Sequence, residues 1–294
     1  MKRKAGILLF MAAVLLQPGA AETVRILYTG SFNGNLDGCE CLAVPRSGLV
    51  SSAVFLRQRD PEGSVLVDLG DFMDSFPDDL LHRNFLAAMG DLSYDFLIPG
   101  DQEFIEGPDF PGWSGNSPAF LSGNLLIRGD YPARKAAVVV RRGIRIGLAS
   151  LTGPEAFGSG PGDFPSGISL EAVPAAAEKL KALLVAEKAD VKILLYHGGG
   201  EEARRLFGDT SWDAVLYAHG QELVSEVRGS RFIGSPGENG NRVGILSLTW
   251  EDGRLRSADN RFLLFRYRED PMDESLYRMI RLYRKEMSHR LKND

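Results

Sequence analysis

Cysteine is nearly missing from this 294-residue chain, which holds only Cys39 and Cys41, separated by Glu40. A pair this sparse cannot scaffold a domain of such size with disulfides, so the fold must rest on an apolar core. Histidine is also scarce, with four residues in the chain. There is no excess of positive charge: 34 basic residues face 39 acidic ones. That balance argues against nucleic acid or an anionic membrane as the main partner, although a small anion can still be bound locally. No internal repeat, low-complexity tract or long Pro/Gly/Ser linker divides the sequence, and a single domain is expected.

After the first residues no apolar run is long enough to span a bilayer. At the start, Lys2, Arg3 and Lys4 precede the apolar stretch Gly6 to Leu16, and small residues follow at Gly19-Ala20-Ala21. This is the pattern of a cleaved leader over 1–21, with cleavage after Ala21 and export to the periplasm or outside the cell. Its removal takes three basic residues and leaves 31 against 39 acidic ones. No cysteine sits near the cleavage position, so a lipid anchor is not expected, nor is a transmembrane segment in the mature chain.

The body of the chain, 22–268, alternates short β-branched runs with helical patterns. Strands are expected at Val24–Thr29, Ser64–Asp68, Tyr94–Ile98, Ala119–Asn124, Ala136–Val140, Arg145–Leu151, Val191–Tyr196 and Ala214–Tyr217. Helices are expected at Gly48–Arg59, Asp79–Met89 and Ser169–Lys188, the last with Ser169 as N-cap and Glu171 in its first turn. From Glu226 to Tyr267 the apolar period becomes two, which gives hairpins such as the one turning at Glu251-Asp252-Gly253. An amphipathic helix carrying Leu276, Ile280 and Tyr283 on one side closes the chain within 269–294. The stretch Gly153–Gly167 reads as a long surface loop. The sum is an α/β layered domain.

In open α/β sheets ligands bind beyond the carboxyl ends of strands, so the polar residues there carry the functional reading. Five strand ends stand out: Thr29-Gly30-Ser31-Phe32-Asn33-Gly34, Asp68-Leu69-Gly70-Asp71, Pro99-Gly100-Asp101-Gln102-Glu103, Tyr196-His197-Gly198 and Ala218-His219-Gly220-Gln221. Two of the four histidines lie among them. Two carboxylates and two imidazoles, Asp71, Asp101, His197 and His219, can hold one divalent metal, with Zn, Fe or Mn all compatible. The plainer alternative is that both histidines bond to backbone. His82 and His289 read as solvated helix residues.

These motifs, in this order, resemble the 5′-nucleotidase (UshA-like) family of calcineurin-like metallophosphoesterases, over roughly Val24 to Leu264. The resemblance implies a β-sandwich flanked by helices and a two-metal hydrolase centre. One metal would take Asp71, Asp101, His197 and His219. The other would take the positions held here by Ser31, Asn33, Asp71 and Gln221, and the family's catalytic histidine is matched by Gln102. Ser, Asn and Gln are neutral, weak ligands, and a Gln cannot protonate a leaving group, so one metal site is expected to be lost. The chain ends soon after the catalytic domain would, so the family's C-terminal substrate-recognition domain is expected to be missing.

Cys39-Glu40-Cys41 follows the first strand-end motif and is expected to border the lost site. A C-x-C pair can ligate a soft metal, cycle as a redox dithiol, or form a permanent disulfide that pins a loop. Part of the UshA-like group carries selenocysteine at a similar position, which implies redox chemistry. Three functions stay open at this point: an exported redox or accessory protein with one metal, a single-metal phosphoesterase acting on a small phosphate ester, and a non-catalytic binding protein. A redox partner protein belongs to the first of these.

Overall fold

The computed structural model describes residues 21–39, 46–110, 118–158 and 164–293. The leader expected over 1–21 lies, apart from Ala21, outside the described residues, and so does Cys41. Chain order runs β1 (Glu22–Thr29), β2 (Gly38–Cys39), β3 (Arg46–Ser47), α1 (Leu49–Arg57), β4 (Ser64–Asp68), α2 (Asp79–Asp91), β5 (Phe96–Leu97), a 3-10 turn at Gln102–Phe104 and β6 (Ala119–Phe120). Next come β7 (Leu125–Ile127), β8 (Ala136–Arg141), β9 (Ile144–Thr152), β10 (Ile168–Leu170), α3 (Val173–Ala186), β11 (Val191–His197), α4 (Gly200–Gly208) and β12 (Ala214–Ala218). The chain closes with β13 (Leu223–Arg228), β14 (Arg231–Pro236), β15 (Arg242–Glu251), β16 (Arg254–Leu264) and α5 (Glu274–Asn293).

Two six-stranded sheets result, in the orders β16-β15-β1-β4-β5-β6 and β13-β14-β12-β11-β9-β8. In each, four strands run parallel and the antiparallel strands lie at the margins. Side chains alternate across each strand, so every central strand feeds two cores. Val24, Ile26 and Tyr28 of β1 meet Ile193 and Leu195 of β11 between the sheets. Leu27 turns the other way, into the core beneath α1, α2 and α5. Leu194 and Tyr196 pack outward under α3 and α4. The order of layers is therefore helices, sheet, sheet, helices, and the expected sandwich is borne out.

Several local expectations need correction. Ser169 does not cap a helix: it lies in β10, paired with Leu126. The Glu171 N–H is taken by the Asn124 carbonyl, which leaves α3 to start at Val173 with Pro174 in its first turn. The strands expected over 94–98 and 119–124 shrink to two residues each, because they pair at the tapering edge of the first sheet. The stretch read as a surface loop buries Ala156 and Phe157 in a 3-10 turn at Pro154–Phe157. His82 is fully buried rather than solvated.

The final helix docks as its pattern predicts, with Leu276 and Ile280 buried. Asp273 starts it by accepting from the Ser275 and Leu276 N–H groups and from Arg57 Nε at 2.6 Å. Burial opposes its charge, but the Arg57 bond and the N–H groups outweigh that and hold the carboxyl at about 2. Asp273→Ala is expected to cost about 2 kcal/mol in urea unfolding. Because the folded pKa is depressed, this contribution is full above the ordinary 3.8 and is lost as pH falls toward about 2. The gap between wild type and variant should therefore close between about pH 5 and about pH 2.

Candidate metal centre

Four strand ends converge at one end of the sandwich. β1 and β4 run parallel, and their pairing continues past the strands: Ser31 N–H donates to the Gly70 carbonyl, Asn33 N–H to Asp71 and Gly34 N–H to Phe72. To follow this path Ser31, Asn33 and Asp71 all take positive φ, and so does His219. Non-glycine residues held in that region cost about 1–3 kcal/mol each and concentrate at functional sites. The loops are fixed by a carboxylate that the sequence reading passed over. Glu103, fully buried, accepts the N–H groups of Asp71, Phe72, Met73 and Gly100 at 2.9, 3.0, 3.1 and 2.6 Å. Burial, reinforced by the nearby Asp71 carboxylate, raises its carboxyl above the ordinary glutamate range, and the four N–H donors pull the other way.

Asp71, Asp101, His197 and His219 present ligand atoms that all lie within 4.8 Å of one another. His197, at the end of β11, is fully buried, and its Nδ1 lies 2.7 Å from the Leu69 carbonyl. A carbonyl can only accept, so Nδ1 carries the proton and Nε2 turns its lone pair to the cluster. His197 Nε2 stands 3.3 Å from Asp71 Oδ1 and 3.6 Å from Asp101 Oδ1. His219 Nδ1 stands 3.2 Å from each of His197 Nε2, Asp71 Oδ2 and Asp101 Oδ1. Asp101 Oδ1 is buried yet makes no hydrogen bond.

These separations test whether a metal fits. Ligands about 2.0–2.1 Å from a tetrahedral zinc lie roughly 3.3–3.4 Å apart. The five separations given above, 3.2–3.6 Å, are compatible with that spacing, with Asp71 presenting Oδ1 to His197 and Oδ2 to His219. Two anionic oxygens and two imidazole nitrogens are also a suitable donor set for Zn, Fe or Mn. Without a cation the cluster draws protons. The Asp101 and then Asp71 carboxylates raise His219 to about 9. Burial disfavours charge on His197, but the same carboxylates lift it well above the usual range. Burial likewise opposes charge on Asp71, and the two imidazoles overcome it, holding that carboxyl far below its ordinary value. Asp71 is almost wholly buried, whereas the side chains of Asp101 and His219 are 30% and 28% exposed, so the cluster opens on one side.

The expected second centre looks different. Gln102 Nε2 donates to Asn33 Oδ1 at 2.8 Å, and Asn33 Nδ2 donates to the Ser31 carbonyl. Ser31 is buried beside them, while Gln221 is exposed on the turn after β12. A neutral amide pair thus occupies the Asn33 and Gln102 positions. Among the described residues, no other group of three or more His, Cys, Asp or Glu side chains is spaced to hold a metal. Cys39 lies on β2, with its backbone paired to Arg46.

Sequence reasoning missed Asp68 as well as Glu103. Asp68 is fully buried, accepts from Thr29 Oγ1 at 2.6 Å and from the Gly70 N–H at 3.0 Å, and is pushed by burial up to about 7. The signal for both was available: each is an acid inside a strand-end motif, Asp68 between Val67 and Leu69 and Glu103 just before Phe104 and Ile105. For His82 the signal was helical spacing, since it shares a face with Phe85 and Met89.

No protein-family model matches the sequence, and no curated relative matches it. Among solved structures, a 5′-nucleotidase precursor from Thermus thermophilus superposes with a TM-score of 0.74 at 21% identity, over 91% of this chain and 59% of that one. The calcineurin-like phosphoesterase YfkN from Bacillus subtilis also gives 0.74, at 17% identity, over 92% of this chain and 99% of the other. The sulfate thiohydrolase SoxB of T. thermophilus gives 0.72 at 16% identity, over 88% and 60%. This chain therefore spans about three-fifths of the nucleotidase and thiohydrolase chains. It has the fold that these three structures share.

Proposed function

We propose that this protein is a single-metal variant on the metallophosphoesterase fold, exported, with Cys39 and Cys41 giving it a redox or accessory role. The observation that carries the metal is the convergence of Asp71, Asp101, His197 and His219, with the His197 tautomer set by the Leu69 carbonyl. The observation against dinuclear hydrolysis is the neutral Asn33–Gln102 pair. A two-metal centre needs charged ligands to hold its second ion and clamp the reacting oxygens. The redox role rests on the sequence, in which the two cysteines follow the first strand-end motif.

The open side formed by Asp101 and His219 also admits the reading of a single-metal phosphoesterase. A bound dication would supply Lewis acidity and a more acidic water. Asp71, Asp101, His197 and His219 would hold it. The Gln102 side chain could orient a phosphate ester but has no proton to give a leaving group, so any turnover would be confined to esters with good leaving groups.

Elemental analysis of gently purified protein, run beside a thiol redox titration, tests the proposal. About one equivalent of Zn, Fe or Mn is expected in the wild type and almost none in His197→Ala. Metal-free wild type, or two equivalents, would overturn the single-metal reading. Failure of the cysteines to cycle with a mild reductant would end the redox role.

A further inference from the structure

His82 lies on α2, well outside the ligand set, yet it connects two of the loops that carry ligands. Its ring is fully buried. Nε2 accepts the Asp74 N–H at 3.1 Å, and Asp74 belongs to the loop that begins at Asp71. Since Nε2 accepts from an amide, the proton of the neutral ring sits on Nδ1. Nδ1 stands 2.9 Å from Glu106 Oε1, and both atoms are buried without a hydrogen bond, so the carboxylate is the charged group that this nitrogen faces. Glu106 follows the 3-10 turn Gln102–Phe104, which Asp101 begins. The Phe110 ring meets the imidazole edge at 6.2 Å and closes the site from the same loop.

The connection reaches the first strand-end loop too. A Cβ on Gly34 would come within 2.8 Å of Asp74 Cβ, so Asp74 packs directly on the segment that carries Ser31 and Asn33. α2 is itself anchored: Asp78 caps its start by accepting from the Leu81 N–H, and Tyr283 of α5 donates to Asp78 at 2.6 Å. One imidazole on a rigid helix thus bonds to a backbone amide on the Asp71 loop and faces a carboxylate on the Asp101 loop. A buried histidine that satisfied only its own helix would face neither.

We propose that His82, with Glu106, is a positioning pair for the metal centre: it holds the Asp71 and Asp101 loops at the separation a single dication needs. This rests on the single-metal reading above. Loops freed from the pair would sample wider spacings, and the cation would have to reorder them on binding, which lowers affinity without altering any ligand.

The test is a Zn2+ titration against a chromophoric chelator for wild type, His82→Ala and His82→Gln, well below the melting temperature, with hydrogen exchange followed at the Asp74 amide. His82→Ala is expected to weaken Zn2+ binding by about tenfold or more and to speed Asp74 exchange. His82→Gln keeps an acceptor for that amide and should recover most of the affinity. A residue that only filled the core would lower the melting temperature of the metal-free protein, leave affinity unchanged, and gain nothing from Gln. Wild-type affinity in a folded His82→Ala would overturn the positioning role while leaving the metal centre intact. Wild type that binds no Zn2+ would instead remove the metal reading, and this inference with it.

Discussion

Gly100→Ala should weaken dication binding by about a hundredfold while changing none of the four candidate ligand residues. Gly100 sits at the turn between β5 and Asp101, where the backbone passes directly beneath the cluster. An added Cβ would fall 2.3 Å from Asp71 Oδ1 and 2.6 and 2.7 Å from His197 Cε1 and Nε2. None of these can retreat cheaply. Asp71 is locked by the bonds of its loop, and His197 is held by the Leu69 carbonyl. Overpacking of this kind costs about 1–3 kcal/mol in stability. The larger effect falls on the site, because the methyl occupies the space between two ligands, and affinity should drop by about a hundredfold. Gly208→Ala makes the matched control. It lies at the end of α4 with nothing within 4 Å of its Cβ position, so stability and binding should both stay near wild type. Competition titration with Zn2+ reads the difference, and Gly100→Ala with wild-type affinity would mean that the ion does not sit among these four side chains.

The layers and the convergence of Asp71, Asp101, His197 and His219 were legible in the sequence for one physical reason. Strands buried on both faces are continuous apolar runs, and polar residues can appear only where they end. Asp71, Asp101, His197 and His219 each stand at such an end, so their convergence follows from parallel strands finishing at one edge. The same pattern marks Ser31, Asn33 and Gln102 as neutral residues, but it cannot show that Gln102 and Asn33 bond to each other. Ser169 misleads because a lone serine before an apolar period looks the same whether it caps a helix or pairs in a short strand. What decides it is the long-range partner Leu126, which local pattern does not encode. His82 misleads because a polar residue on a helix is assigned to solvent unless its partners are known, and Asp74 and Glu106 come from two other segments.

Glu103→Ala is expected to bring the largest loss of stability of any single substitution in the site. The carboxylate is fully buried and satisfies four backbone N–H groups at once, three from the Asp71 loop and one from Gly100. Each buried donor left without a partner costs about 1–3 kcal/mol, and water entering the vacated space would recover part of that, so a net loss of about 4 kcal/mol is expected. Glu103→Gln separates shape from charge. Its carbonyl can keep the Phe72 and Met73 donors that Oε1 now serves, while its amide nitrogen would face the Asp71 and Gly100 N–H groups that Oε2 now accepts. Two donors pointed at donors should place this variant between the other two, about 2 kcal/mol below wild type. Urea unfolding of the metal-free proteins measures both. Zn2+ titration of the folded variants then distinguishes two origins for the ligand geometry. If Glu103 sets it, affinity should fall in the same order as stability, because the Asp71 loop and the Asp101 turn hang from one carboxylate. If the ion itself sets it, saturating Zn2+ should restore Glu103→Ala to nearly wild-type stability, and the buried carboxylate would then serve folding alone.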